Sequence, residues 1–357
     1  SREAFDFSKP ASNSKANAPH TITLPKEAIL RIGPTRLKRW EGYRDDENIE
    51  ALHIGGNDQV LIGTCASSTA LVWSLETGEV VRQLGPGVGD IKHSALAQDG
   101  YTLVVAPAHG EVVLWDIGTG IDKLHLDINA EVSALTITRD GEALILGHKN
   151  GSLSAWGLQG GEPLGRIQID KDPILAIAAN SIEQILAAPN DGDLVSCHLE
   201  SGEHHRILRA RDQILSLDLA ENGALLIRGR ERIALFDIKA RVMIWDFEQR
   251  NSRAATFGSD PNTLIVVNRQ GRICIHDVSA QMIVHTISPK AQPNALAISE
   301  DGKTVAVARY RVELFKLPHG DAFLAEPGHF AAITRVHISP HDDELATSSS
   351  DGSVLGW

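Results

Sequence analysis

No apolar run in this sequence approaches the roughly 18 consecutive residues that a membrane-spanning helix needs. No stretch shows the 3.6-residue apolar period of an amphipathic helix either. The N-terminus has no apolar core behind a basic start, so no signal peptide is visible within it. Cysteine is scarce: Cys65, Cys197 and Cys274 are far apart, without metal-type spacing, and read as small buried apolar side chains. Histidine is scattered, and the adjacent pair His204 and His205 would face opposite sides of a strand. A Gly-x-Ser-x-Gly nucleophile elbow is missing. The carboxylate pairs Asp45–Asp46 and Asp342–Asp343 fall in turn-like stretches, with nothing to raise a pKa as acid–base chemistry requires. An excess of basic residues is missing too. Lys and Arg number 34 against 46 Asp and Glu, a net charge of −12. That balance argues against general binding to nucleic acid or an anionic membrane, both of which need surplus Lys and Arg. No catalytic, cofactor-binding or metal-ligating residue is named, and no cofactor is expected.

What is present is a repeat with a period near 40 residues. "VVLWDIGTG" (112–120) recurs in weaker forms as "ALVWSLETG", "SLSAWGLQG", "DLVSCHLESG", "RIALFDIKA", "RICIHDVSA" and "RVELFKLPHG", and "SVLGW" closes the series at Trp357. Eight copies start near residues 49, 91, 132, 174, 214, 253, 293 and 332. Each unit opens with an alternating strand, such as Leu215, Leu217 and Leu219 against Ser216 and Asp218. An Asp-Gly or Asn-Gly turn follows (Asp99-Gly100, Asp140-Gly141, Asn222-Gly223, Asp301-Gly302), then a second apolar strand. The third strand carries an aromatic residue, and a Thr-Gly or Ser-Gly turn leads to a fourth. Four short antiparallel strands per repeat predict β-propeller blades. "GPGVGD" (85–90) lies between two strands, so it reads as a blade-to-blade loop and not a phosphate cradle.

These residues resemble the WD40-repeat family. The last repeat, "GHFAAITRVHISPHDDELATSSSDGSVLGW", carries the Gly-His pair, the turn Asp and the Trp, and "LWD" at 114–116 is a second match. Other repeats depart from the pattern: Ser67, His109, Asn150 and Gln270 replace the turn Asp, and Cys197, Phe236, His276 and Phe315 replace the Trp. The resemblance implies a structural hydrogen-bonded tetrad of His329, Ser349 (or Thr347), Asp351 and Trp357. The segment containing Leu24, Pro25, Ala28, Arg31, Gly33, Arg36 and Leu37 looks like the leader that precedes the repeats in some bacterial WD40 proteins.

The expected fold is therefore all-β: residues 1–22 as a linker or tail, and residues 23–357 as a single propeller. Eight blades of about 40 residues need about 320, and residues 30–357 supply 328. Eight is thus the expected number, with seven as the alternative if one degenerate repeat is misread. The last repeat has three strands, so the orphan strand at 28–40 is expected to complete it and close the ring.

The functional expectation, implied by the resemblance, is a non-enzymatic scaffold, monomeric, that binds a protein or peptide on a loop-lined face and forms one domain of a larger protein. The alternative is a propeller enzyme with a central cofactor or metal site, for which His53, His93 and His337 on first strands are the available ligands. Charge locates the face. Arginines 206, 209, 211, 228, 230, 232 and 241 cluster within 36 residues of an acidic chain. Arg211, Arg228 and Arg230, joined by His148, Asn190 and Arg269 from matching turns, are the candidate face for an acidic partner.

Overall fold

A computed structural model describes the chain from residue 49 onward, apart from residues 58, 66–68, 76–79, 86–89, 108–109, 211, 221, 259, 290–292, 294, 300–301, 309–311, 318–320, 323–332, 339–344, 350–353 and 357. The described residues form seven four-stranded antiparallel sheets in sequential order and one three-stranded sheet. The four-stranded blades occupy residues 49–84, 91–126, 132–168, 174–209, 214–248, 254–287 and 295–322. The three-stranded sheet comprises Ile333–Ile338, Leu345–Ser349 and Val354–Gly356.

The middle strands explain why sheets stack. Val60–Cys65 and Ala143–His148 are buried at every position. Because strand side chains alternate in direction, burial of every residue means that both faces of the sheet are covered. In Ala143–His148, Leu144 and Leu146 pack toward blade two, whereas Ala143 and Ile145 pack toward blade four. Each interface is one hydrophobic cluster. Blades one and two, two and three, three and four, four and five, five and six, and six and seven each share one. The seventh cluster joins Ala295, Ala297, Ala306 and Leu314 of blade seven to Ile49, Leu52, Leu61, Leu71 and Trp73 of blade one.

Seven blades with seven shared interfaces make a closed ring, so the expected count of eight is corrected to seven. Repeat counting establishes how many copies the chain contains, but direct packing decides which copies share the ring. Three alanines on blade seven let the larger side chains of blade one approach, and no eighth sheet stands between them among the described residues. The strand expected at 28–40 lies outside the described residues.

One backbone bond repeats in every blade. The residue just after the third strand donates to the first turn: Leu75 to Gln59, Ile117 to Tyr101, Leu158 to Glu142, Leu199 to Ile182, Ile238 to Gly223, Val278 to Asn262 and Leu317 to Lys303, at 2.8–3.4 Å. This bond puts the first and third turns of each blade on one side of the ring. Polar residues on the first strands bridge to the next blade: His53 Nε2 meets Ser94 Oγ at 2.9 Å, and Thr256 Oγ1 donates to Asp218 Oδ2 at 2.8 Å.

Gly85, at the start of the glycine-rich loop, shows what the aromatic position demands. Its φ is +82°, and a Cβ there would fall 2.1 Å from the Trp115 ring. Gly85→Ala is expected to cost about 3 kcal/mol, combining left-handed strain with displacement of a buried indole. Gly202, with φ +68° and open space around it, should cost only about 1 kcal/mol on the same change. Denaturant midpoints of the two variants check this; equal losses would show that Trp115 does not constrain the loop.

Candidate partner-binding face

The second turn of a blade and the loop entering that blade share the other side of the ring. Lys149 N donates to Glu131 O at 3.0 Å, Asn190 N to Pro173 O at 2.9 Å and Arg230 N to Gln213 O at 3.2 Å. In blade six, Arg253 Nε donates to Arg269 O at 3.3 Å. These bonds bring turns from blades three to six onto one rim.

On that rim, Gln213 joins two of the candidate residues. Its amide nitrogen donates to Asn190 Oδ1, and its Oε1 accepts from Arg230 Nη2 at 3.1 Å. A side chain of blade five's entry loop thus reaches blade four's turn and orients an arginine on its own blade. Asp212 Oδ2 accepts from Glu231 N and from Arg232 N, the latter at 3.3 Å. A Cβ on Gly229 would lie 2.5 Å from the same oxygen, so a small residue there lets the carboxylate cap the turn. Gln213 was not among the expected site residues, because a single glutamine carries no pattern; only the loop's position beside both turns reveals it.

Arg228 behaves differently from its neighbours. Its Nε donates to Ser216 Oγ at 2.9 Å and its Nη1 to Ser252 O at 3.1 Å. Burial pushes its pKa down to about 10. It is an interior strut that joins blades five and six. Arg230 and Arg269 are exposed, and Arg211 lies outside the described residues.

His148 is also interior. It is 1% exposed, and its Nε2 lies 2.8 Å from Ser154 Oγ, which accepts from Trp156 Nε1 at 3.1 Å. Burial, helped by the charge of Arg166, holds its pKa down to about 4. This relay gives the Trp156 indole its acceptor inside blade three. Of the tetrad residues, His329, Asp351 and Trp357 lie outside the described residues, while Ser349 ends the second strand of the three-stranded sheet, opposite Ile333.

Three arginines of the cluster, and Arg250 just beyond it, lie beside carboxylates. Arg206 and Arg209 lie 3.0 and 3.9 Å from Asp193, Arg232 lies 2.7 Å from Asp246, and Arg250 lies 2.7 Å from Glu248. Arg230 and Arg269 have no carboxylate partner among the described residues. No group of three or more His, Cys, Asp or Glu is placed to hold a metal among those residues. No described helix is long and apolar enough to cross a membrane.

His276, at an aromatic position of the repeat, is 3% exposed and packs against Trp245 and Phe247 of the neighbouring blade, with ring centroids 5.6 and 5.0 Å away. Neither ring nitrogen has a hydrogen-bond partner among the described residues. Burial pushes its pKa down to about 4, as it does for His53. The folded state therefore holds these histidines neutral, while the unfolded chain protonates near the ordinary value of about 6.5. Their contribution to stability is complete above that value and is lost as pH falls toward 4. His276→Phe, matching Phe236 and Phe315 at equivalent positions, should leave the melting temperature at pH 7 unchanged or higher. At pH 5 it should recover on the order of 2 kcal/mol relative to the parent. Thermal melts at the two pH values decide; an equal pH dependence in both proteins would show that His276 is solvated.

No curated protein matches the chain. The family model described as "WD domain, G-beta repeat" matches residues 323–357. Together, that match and the ring of four-stranded blades support a WD40-repeat protein.

Proposed function

We propose that the protein is a non-enzymatic scaffold that takes an acidic protein or peptide segment on the rim carrying Asn190, Gln213, Arg230 and Arg269. WD40 propellers commonly serve as interaction platforms, which supports the scaffold reading at the level of the family. One observation supports the location. Arg230 is exposed and held in orientation by Gln213, yet it has no carboxylate partner among the described residues, whereas Arg206, Arg209, Arg232 and Arg250 are each beside one. In a chain of net charge −12, an oriented cation on a rigid ring focuses acidic segments onto one side. The guanidinium fork can hold a carboxylate through two parallel bonds. In the same proposal, the segment at 28–40 supplies the outer strand beside Val354–Gly356, whose sheet has three strands.

The test is Arg230→Glu combined with Arg269→Glu, with a labelled oligoglutamate peptide as the probe. Surface arginines contribute little to stability, so the melting temperature should shift by less than about 2 °C. Peptide affinity should fall at least tenfold at low salt. Arg228 is left intact, because a carboxylate there would sit in the interior. An unchanged titration curve would remove this rim as the binding face.

A further inference from the structure

The outer wall of blades five and six carries an apolar surface unlike the other described outer strands. Val242, Met243 and Ile244 open the last strand of blade five, Val242–Glu248. Met282, Ile283 and Val284 open the last strand of blade six, Met282–Ile287. All six are between 39% and 55% exposed, and they include both methionines of the protein. Three consecutive exposed residues on a strand leave both of its faces open, because successive side chains point opposite ways. Among the described residues, each strand is also the last of its sheet, paired with a strand on one side only. Gln281 Nε2 donates to Ile244 O at 3.3 Å and joins the two runs into one surface.

The outer strands of blades two and four are guarded. Blade two places Asp122, Lys123 and His125 there, and blade four places Glu203, Arg206 and Arg209. Charges of this kind keep a strand edge from accepting another strand. The first halves of the two strands at issue have none, and they begin at a cationic border. Arg241 directly precedes Val242, and Lys239 lies in the same turn; both are exposed and lack a carboxylate partner among the described residues. The carboxylates of the two turns are occupied. Asp237 Oδ1 accepts from Ala240 N at 2.8 Å, and Asp277 Oδ1 accepts from Ser279 Oγ at 2.6 Å and Ala280 N at 2.8 Å. The surface therefore calls for an extended segment with large apolar side chains and carboxylates at close spacing.

The chain contains one: Glu3-Ala4-Phe5-Asp6-Phe7. As a strand it would put Glu3, Phe5 and Phe7 on one side and Asp6 on the other. The 41 residues between Phe7 and Ile49 can extend over roughly 130 Å, several times the ~19 Å width of a four-stranded sheet. We propose that Glu3–Phe7 docks in cis as an added strand along the open edge of Met282–Ile287. Phe5 and Phe7 cover the Met282–Val284 run, and Glu3, on the same side, lies toward Arg241 and Lys239. The tail then guards one of the two unprotected apolar edges among the described blades.

The experiment uses the full chain, whose three native cysteines are buried. Phe5→Cys is paired with Ile283→Cys, or, as a control, with Leu164→Cys on the wall of blade three, and each is oxidised with oxidised glutathione. The proposal expects an intrachain disulfide in the Ile283→Cys protein to form at least tenfold faster than in the control. Equal rates overturn it, and disulfide-linked dimers overturn it in favour of a second copy as the occupant. Hydrogen exchange supplies the second measurement. Phe5→Glu with Phe7→Glu should speed exchange of the Met282–Ile287 amides at least tenfold, and unchanged protection overturns the proposal.

Discussion

Every feature of this molecule depends on sheet-to-sheet packing between neighbouring blades. A four-stranded sheet of about 35 residues cannot bury enough apolar surface to stand alone. Its middle strands are apolar on both faces, so each sheet needs two neighbours, and a finite stack would leave two raw faces. Closing the ring removes them. The contact of Ala295, Ala297 and Ala306 with Leu52, Leu61 and Trp73 is therefore the constraint that sets the number of blades. Each buried aliphatic side chain contributes roughly 1.5–3 kcal/mol, so a whole cluster outweighs any single polar contact in the ring.

That rigidity gives the rim its meaning. A blade turn is tied by its own backbone to the loop that enters the blade, and side chains such as Gln213 reach from one blade to the next. Residues from blades four and five hold a fixed relation because the sheets beneath them cannot slide. The same packing sorts the arginines. Those on the third and outer strands find carboxylates across the strand pair, as Arg206 finds Asp193 and Arg232 finds Asp246. Arg228, on a second strand, is drawn into the interior and bonded to neutral oxygens. Position in the blade, more than residue type, decides which cations remain available to a partner.

The aromatic position of the third strand illustrates how degenerate repeats remain compatible with one architecture. Trp73, Trp115, Phe236 and Phe315 are buried there as apolar bulk. His276 occupies the same place, and its blade interface borrows Trp245 and Phe247 from the neighbouring outer strand. The interface keeps its aromatic volume, at the cost of a buried imidazole without a hydrogen-bond partner. Trp156 keeps its polar partner through Ser154 and His148, all within blade three. The repeat thus preserves volume at the interface more strictly than it preserves a particular hydrogen-bonded set.

The all-β class, the four-strand grammar of each blade and the propeller architecture were determined by the sequence itself. They rest on short-range signals, namely strand alternation, Asp-Gly and Thr-Gly turns and an aromatic that recurs every 40 residues, all visible within one repeat. The acidic balance and the arginine cluster were equally legible, since charge is a matter of composition. Tertiary structure decided the rest. Seven rather than eight blades share the ring because alanine-rich blade seven fits directly against blade one, a contact between residues about 245 positions apart that no local pattern encodes. Arg228 and His148 read as rim residues because they stand near second turns, but Arg228 is bonded between blades five and six and His148 is buried against Ser154. Gln213 carried no signal until the fold set its amide between Asn190 and Arg230.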